Sequence, residues 1–528
     1  MKGIILYYYK QSTLFKLVAC FIFKVYINVE KKQKILYNAY VRNFSHEKNF
    51  WIGGTLMGNK TKMYLDVMAC HPEVTGSCFL CVLKLPNRES IKFVIDCGLF
   101  QEKEYDSLNY ELPFECDELA FVLVTHNHVD HIGRLPLLFK KGYFGNIYCS
   151  TQTKILLPLA LNDSQKVLSD VCKRKHQPAL YSAKDVEATS NNVVGVEFNH
   201  KIRVAPNIEV TFLKNGHLIG AAMILVEINY PGEEPINVLF TGDYNCKNNF
   251  IYLPGIPDQI KNMRLSTIIE STYGDTSVND INYGYFSQKV LEAIEQRKTI
   301  ILPVFSLGRS QEILLKLKEL QDNNELDINV PIYFDGNLAQ AYTSLYLSSK
   351  CLIEEDKKDF LPKNLELVNS EIRDELLETD KCKIIVTTSG MGTYGPAQVY
   401  IPYFISKKKV LILFTGYTAE GTLGANLKNA EESESVKIGG LICKKFADVS
   451  YCNEFSAHAK SEELIELLKQ FSNLKGILIN HGQEETKANF AEKVLNELSI
   501  DEVGILNREY FFRLGSFGII KTLSTKFK

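Results

Sequence analysis

The sequence predicts a layered α/β fold. Apolar runs of strand length recur from Met63 onward and empty into polar residues able to do chemistry. Between them lie patterns whose apolar residues repeat at three and four, the period of a helix. In order, residues 92–95 end at Asp96-Cys97-Gly98, residues 121–124 at a His-rich segment, and residues 209–213 at Asn215-Gly216-His217. Residues 237–241 end at Gly242-Asp243, and residues 265–269 end at Glu270-Ser271-Thr272-Tyr273-Gly274. Residues 383–387 end at Thr388-Ser389-Gly390-Met391 and residues 476–480 at His481-Gly482. Helical patterns cover residues 310–320, 461–471 and 484–498. Side chains gathered at strand ends from distant positions are how layered α/β proteins build a site.

Residues 125–131 read T-H-N-H-V-D-H, which delivers His126, His128, Asp130 and His131 to the edge of a sheet. Imidazole with carboxylate suits zinc. The set is more than one tetrahedral ion uses while a water position stays open, so two metals are expected. The plainer alternatives are a His-rich surface turn or a single structural zinc. The chain has only 10 His, however, and structural zinc usually recruits Cys, which this stretch lacks. His217 shares the strand-end setting, and Gly216 and Gly220 allow close backbone approach around it, so it joins the candidate ligands.

At 528 residues and 45% hydrophobic content, the chain can build more than one core. Its 13 Cys are scattered, mostly inside apolar runs, which favours a reducing, cytoplasmic setting over a disulfide framework. Cys78 and Cys81 form a C-x-x-C within strand-like residues 77–85, where positions three apart face opposite ways; both are expected in the core. Net charge is −2 but uneven: residues 1–62 carry 11 Lys and Arg against 2 acidic residues, which leaves the remainder at −11. A polyanionic substrate would therefore be held by metals and a local basic lining rather than by the global field. The apolar run 17–23 is far short of the roughly 20 residues that cross a bilayer, so no membrane span is expected. Nor is there a signal-peptide pattern. Met57 or Met63 offers an alternative start, which would make residues 1–62 a basic extension outside the core or a targeting segment.

The order Asp96, His126-x-His128-x-Asp130-His131, His217, Asp243 resembles the metallo-β-lactamase superfamily. Glu270-Ser-Thr-Tyr-Gly, the P-V-F-S-L-G-R-S-Q-E of residues 303–312, Phe455-Ser-Ala-His-Ala and Asn480-His-Gly-Gln-Glu are similar to segments of the β-CASP nucleases, over about residues 63–518. The resemblance implies an αββα metallo-β-lactamase sandwich, residues 63–274 and 449–528, interrupted by a β-CASP α/β domain at residues 275–448. It implies two zinc ions, one held by His126, His128 and His217 and the other by Asp130, His131 and His481. Asp243 would bridge them, and Asp96 would orient a ligand histidine. It further implies a proton donor, His458, positioned by Glu270, with Asp130 counted among the catalytic residues, and products with 3′-hydroxyl and 5′-phosphate ends.

Ser306, Gly308 and Arg309 precede a helix and, with Ser389 and Gly390, are expected to contact a substrate phosphate; simple helix capping is the plainer reading. The substrate expected from the resemblance is single-stranded RNA, because RNA-processing members also have histidine at the position of His481. Cleavage within the chain is expected, by a homodimer or as part of an RNA-processing complex. Three competitors stand beside it. A hydrolase of a small ester, thioester or lactam would need neither the insert nor His458; a DNA nuclease of the same family typically lacks the histidine; a non-catalytic scaffold typically loses ligands that this chain keeps. Two departures from the family pattern stand out: Lys460, where an acidic residue is common, and Thr276-Ser-Val-Asn in place of basic residues. They bear on substrate contacts and domain closure, not on metal ligands.

Overall fold

A computed structural model describes residues 63–524 apart from 88, 248, 249, 417, 419, 420, 439 and 501; the expectations placed on residues 1–62 lie outside the described residues. Two sheets face each other. The first runs, in spatial order, Gly518–Ser524, Tyr510–Gly515, Tyr64–Ala69, Phe79–Lys84, Ser90–Ile95, Leu119–Leu123, Ile147–Ser150, Val193–Val196. The second runs Val503–Ile505, Leu474–Asn480, Leu265–Glu270, Ile236–Phe240, Ala222–Ile228, Ile208–Lys214, Lys201–Ala205. The C-terminal part of the chain thus completes both sheets. Arg513 pairs with Asp66 in the first strand through two bonds, Nε to Oδ1 at 2.7 Å and Nη2 to Oδ2 at 2.8 Å.

Alternation along Leu119–Leu123 explains why its apolar run is unbroken. Phe121 and Leu123 enter the core between the sheets. Val122 and Val124 enter a second core beneath the helices Leu135–Lys140, Thr151–Lys175 and Ala183–Asn191. Cys81 and Cys78 obey the same rule, Cys81 lying between the sheets and Cys78 on the helix side. Across the molecule, Leu239, Ile269, Ile477 and Ile479 pack beneath Ser461–Lys469 and Glu484–Glu497. The result is helix, sheet, sheet, helix.

A third sheet, in the order Leu365–Leu367, Ile332–Asp335, Lys383–Thr387, Thr299–Pro303, Val410–Phe414, Asp448–Tyr451, is parallel throughout. Its strands are buried on both faces: Ile300, Leu302, Ile384 and Val386 join one cluster, and Ile301, Ile385 and Ile412 another. Asp448–Tyr451 pairs with Leu411 to Phe414, so the chain stays in this sheet through residue 451. No helix among the described residues is long and apolar enough to cross a membrane.

Beyond the strand Leu119–Leu123, the His-rich segment runs into a helical turn, Val129–Ile132. It docks on the backbone after Asp96, with Cys97 N–H donating to the His131 carbonyl at 2.8 Å and Leu99 N–H to that of Val129 at 3.0 Å. Gly98 makes this approach possible, because a Cβ there would lie 1.4 Å from the Asp130 carbonyl oxygen.

Candidate active site

The strand ends of both sheets empty into one place. His126 and His128 follow Leu119–Leu123, His217 follows Ile208–Lys214, Asp243 follows Ile236–Phe240, and His481 follows Leu474–Asn480. His126 Nε2 lies 3.2 Å from His128 Nδ1, and His217 Nε2 lies 3.1 Å from the same atom. His131 Nε2 lies 3.3 Å from His481 Nε2, with Asp130 Oδ2 at 3.9 Å from His131 Nε2. Asp243 stands between the two groups. Its Oδ2 is 3.5 Å from His126 Nε2 and 3.7 Å from His217 Nε2; its Oδ1 is 3.3 Å from His131 Nε2 and 3.4 Å from His481 Nε2.

Ring nitrogens converging with a carboxylate in a buried space form a site suited to a cation at their centre. Asp243 Oδ1 is itself buried without a hydrogen-bond partner, a costly state that a bound metal would relieve. The donors, imidazole and carboxylate, suit zinc or a related transition metal. This is a metal-binding site, and His126, His128, His217 and Asp243, with Asp130, His131 and His481, are the side chains able to supply ligands. Burial pushes the pKa of His126 and His217 well below the usual histidine value, which keeps their lone pairs free. Burial also opposes charge on His131, but the Asp243 and Asp96 carboxylates outweigh it and raise that pKa. At Asp243 burial is likewise outweighed, here by His131, His481 and the other imidazoles, and the carboxyl is held well below its usual range.

Several of the ring nitrogens that point away from the centre are held. Asp96 Oδ2 takes His131 Nδ1 at 2.7 Å and the Thr125 hydroxyl at 2.7 Å, while its Oδ1 accepts from Thr125 N–H at 2.8 Å. His217 Nδ1 donates to the Ala457 carbonyl at 2.8 Å. The Asn215 side chain ties the loop of His217 to that of Asp243, donating to the Thr241 carbonyl at 3.0 Å and to the Asp243 carbonyl at 2.6 Å. Gly216, at φ +74, lets the Asn245 carbonyl oxygen come within 2.0 Å of where its Cβ would stand.

His458 arrives from the returning segment. Its Nδ1 bonds Glu270 Oε2 at 2.8 Å, and its Nε2 faces Asp243 Oδ2 at 3.9 Å. Glu270 is almost fully enclosed, whereas the His458 side chain keeps 18% exposure, enough to meet a substrate. Burial lowers the pKa of His458, but Glu270 and Asp243 outweigh it and hold the pKa above the ordinary value. Glu270 Oε1 accepts from Tyr244 N–H, and Oε2 also accepts from the Thr272 hydroxyl at 2.6 Å. Thr272 Oγ1 lies 2.9 Å from His481 Nδ1, so a ligand-type histidine and His458 share one carboxylate.

Three residues that hold the site carried little signal in the sequence. Thr272 is one. The others are His71, which follows the strand Tyr64–Ala69, and Asn480: His71 Nε2 lies 2.7 Å from Asn480 Nδ2, and His71 Nδ1 is 3.2 Å from the Cys78 carbonyl. Cys78 N–H also reaches His71 Nδ1, at 3.0 Å, so the ring is held from both sides. His71 thereby braces the residue before His481, whose backbone sits at φ 53.

The expected phosphate contacts are placed differently. Gly308 N–H bonds Gln311 Oε1 at 2.8 Å, which is capping of the helix Arg309–Asp322. The Arg309 guanidinium is only 7% exposed, lies 3.4 Å from Glu312 Oε2 and stands 5.5 Å from the Phe455 ring centroid; its Nε and Nη1 lack hydrogen-bond partners. Arg309 therefore sits against the segment carrying His458. Ser389 Oγ accepts from Tyr394 N–H at 3.3 Å, and Gly390 packs on Phe305, beside Ser306.

Comparison with known proteins agrees with this frame. Three family models match in order: the metallo-beta-lactamase superfamily at residues 76–258, the Beta-Casp domain at 310–427, and the Zn-dependent metallo-hydrolase RNA specificity domain at 446–503. The chain is 30% identical over 460 residues to the transcription termination factor FttA of Methanosarcina mazei, covering 83% of this chain and 69% of that protein. It is 31% identical over 423 residues to an RNase J-like protein of Methanocaldococcus jannaschii, covering 78% of this chain and 91% of that protein. A homolog of Integrator complex subunit 11 from Dictyostelium discoideum is 26% identical over 446 residues, covering 80% of this chain and 58% of that protein. With likeness over these lengths, the chain belongs to the metallo-β-lactamase superfamily and, within it, to the β-CASP nucleases.

Proposed function

We propose that this protein is a zinc-dependent ribonuclease that cuts single-stranded RNA internally and leaves 3′-hydroxyl and 5′-phosphate ends. The observation that carries the reading is the placement of Asp243, each oxygen facing imidazoles of a different group, with His458 and its Glu270 partner standing over the same carboxylate. In this reading His126, His128 and His217 would hold one zinc and Asp130, His131 and His481 the other, with Asp243 shared between them. Asp96 orients His131. Residues 63–274 and 449–528 form the metal-binding frame, and residues 275–448 form the insert that closes over substrate. The matched RNA specificity domain and the RNase J-like relative favour RNA over a lactam or thioester.

Bound zinc supplies acidified water and neutralises charge on a phosphoryl oxygen. The rest of the chemistry belongs to the chain. Glu270 fixes the His458 ring through Nδ1, so the proton on Nε2 points into the site, where the departing 3′ oxygen needs it. Ser306, Gly308, Ser389 and Gly390 are proposed to line the phosphate path. Arg309, packed on Phe455, contributes by shaping the His458 segment as well as by its charge.

The test offers metal-analysed protein end-labelled single-stranded RNA, matched DNA and a lactam. About two zinc ions per chain and internal RNA cuts whose 5′ ends are phosphorylated are expected. RNA left intact while DNA or lactam is consumed would overturn the reading.

A further inference from the structure

Lys460 is buried, at 4% exposure, and among the described residues its ammonium makes no ion pair. Its Nζ stands 3.5 Å from the centroid of the Tyr273 ring and donates to Ser456 Oγ at 2.8 Å. Burial, opposed by Glu463 and Glu270, draws its pKa down to about 8. Enclosing an ammonium is expensive, and a methionine would fill the same space without that cost. The site therefore asks what the charge does.

The location answers. Tyr273 lies on the segment leaving the first two sheets, and Lys460 lies on the segment returning to them. The two are joined by an isolated parallel bridge, and Ser461 N–H donates to the Thr276 carbonyl at 3.1 Å. Ser456 Oγ donates to the His458 carbonyl at 2.8 Å and accepts from His458 N–H at 3.2 Å. With the Lys460 bond, the one donor and two acceptor sites of the hydroxyl are all used, so its orientation is fixed. Both peptide groups of His458 are thus locked by a hydroxyl that the lysine holds in place.

We propose that Lys460 is a positioning residue for His458: seated on Tyr273, its ammonium pins the Ser456 hydroxyl and with it the backbone that aims the imidazole at the leaving group. The inference rests on the reading of His458 as proton donor. The same segment carries the Ala457 carbonyl that bonds His217, so an effect through metal has to be separated from an effect on the proton donor.

The experiment compares Lys460→Met, Lys460→Arg, Ser456→Ala, the Ser456→Ala/Lys460→Met double variant and His458→Ala. Each is offered one RNA oligonucleotide, with natural linkages or with sulfur replacing the 3′ bridging oxygen at the cleavage site. A thiolate leaves without needing a proton. On natural RNA, Lys460→Met should lower kcat about 10- to 100-fold, the scale of a small misplacement, with KM and metal content unchanged. Lys460→Arg, which keeps a cation over Tyr273, should recover most of the rate. Ser456→Ala, which leaves the lysine in place, should be slowed in the same way, and the double variant should be no slower than the slower single variant. On the sulfur substrate, Lys460→Met and His458→Ala should both approach the wild-type rate. If His458→Ala is rescued there but Lys460→Met is not, the lysine does not act through His458. Metal loss in Lys460→Met would place its effect on His217 and overturn the proposal, as would a wild-type rate on natural RNA. Failure of His458→Ala itself to be rescued would instead sink the proton-donor reading beneath it.

Discussion

Glu270 admits two roles that one substitution separates. Its carboxylate lies close enough to Asp243 and His481 to count as a metal ligand, yet both oxygens already accept hydrogen bonds: Oε1 from Tyr244 N–H, Oε2 from His458 Nδ1 and the Thr272 hydroxyl. In Glu270→Gln, the backbone donor of Tyr244 selects the amide oxygen, because turning the NH2 toward it sets donor against donor. The NH2 then faces His458 Nδ1 and the Thr272 hydroxyl. His458 can no longer donate from Nδ1, and the negative charge that favours its protonated form is gone. Most of the worth of a general acid, 10²- to 10⁴-fold, should be lost. A fall in kcat of about 10²- to 10³-fold is expected, or roughly 3–4 kcal/mol of transition-state stabilisation. Single-turnover cleavage of end-labelled RNA, beside metal analysis by mass spectrometry, makes the measurement. Metal content should match wild type. Protein that loses a metal ion would show Glu270 to be a ligand, and a wild-type rate would show that His458 does not depend on it.

Two further predictions address neighbours of that carboxylate, and a third addresses the third sheet. His481→Ala should reduce zinc from about two per chain to about one, with activity partly restored by added metal; full zinc retention would remove His481 from the ligand set. Thr272→Val keeps the shape but deletes the hydroxyl between His481 Nδ1 and Glu270, so zinc affinity measured by chelator competition should fall about 10-fold, and an unchanged affinity would show the hydroxyl to be incidental. Asp335→Ala, in the third sheet, removes the partner of Arg373 at 2.7 and 2.8 Å and of the Tyr400 hydroxyl at 2.7 Å; it should cost about 3 kcal/mol by denaturant midpoint and leave zinc content alone.

How much of this was legible depended on whether a residue's chemistry is unusual for its setting. His126, His217, Asp243 and His481 stand out because a polar ligand directly after an apolar strand has few bland explanations, and parallel neighbours bring strand ends together whatever the separation in sequence. The same rule, applied to Tyr64–Ala69, points at His71, although the strand's apolar stretch is short and Cys70 intervenes. Thr272 lay inside the Glu270-Ser-Thr-Tyr-Gly motif without a role of its own, since a hydroxyl at a turn is ordinary and its importance comes from His481, brought beside it by the pairing of Glu270 with Asn480. Arg309 was read as a phosphate contact because guanidinium at a helix start suits an anion; no pattern within its own segment reveals that Phe455 packs against it. Lys460 shows the same limit from the other side. A lysine before a helix reads as solvated charge, and only the crossing of two linkers, distant in sequence, encloses it. Strand ends can be located from local pattern, but what braces them is decided by contacts between segments whose own patterns do not refer to one another. In such a site the ligand set is therefore more legible than the residues that aim it.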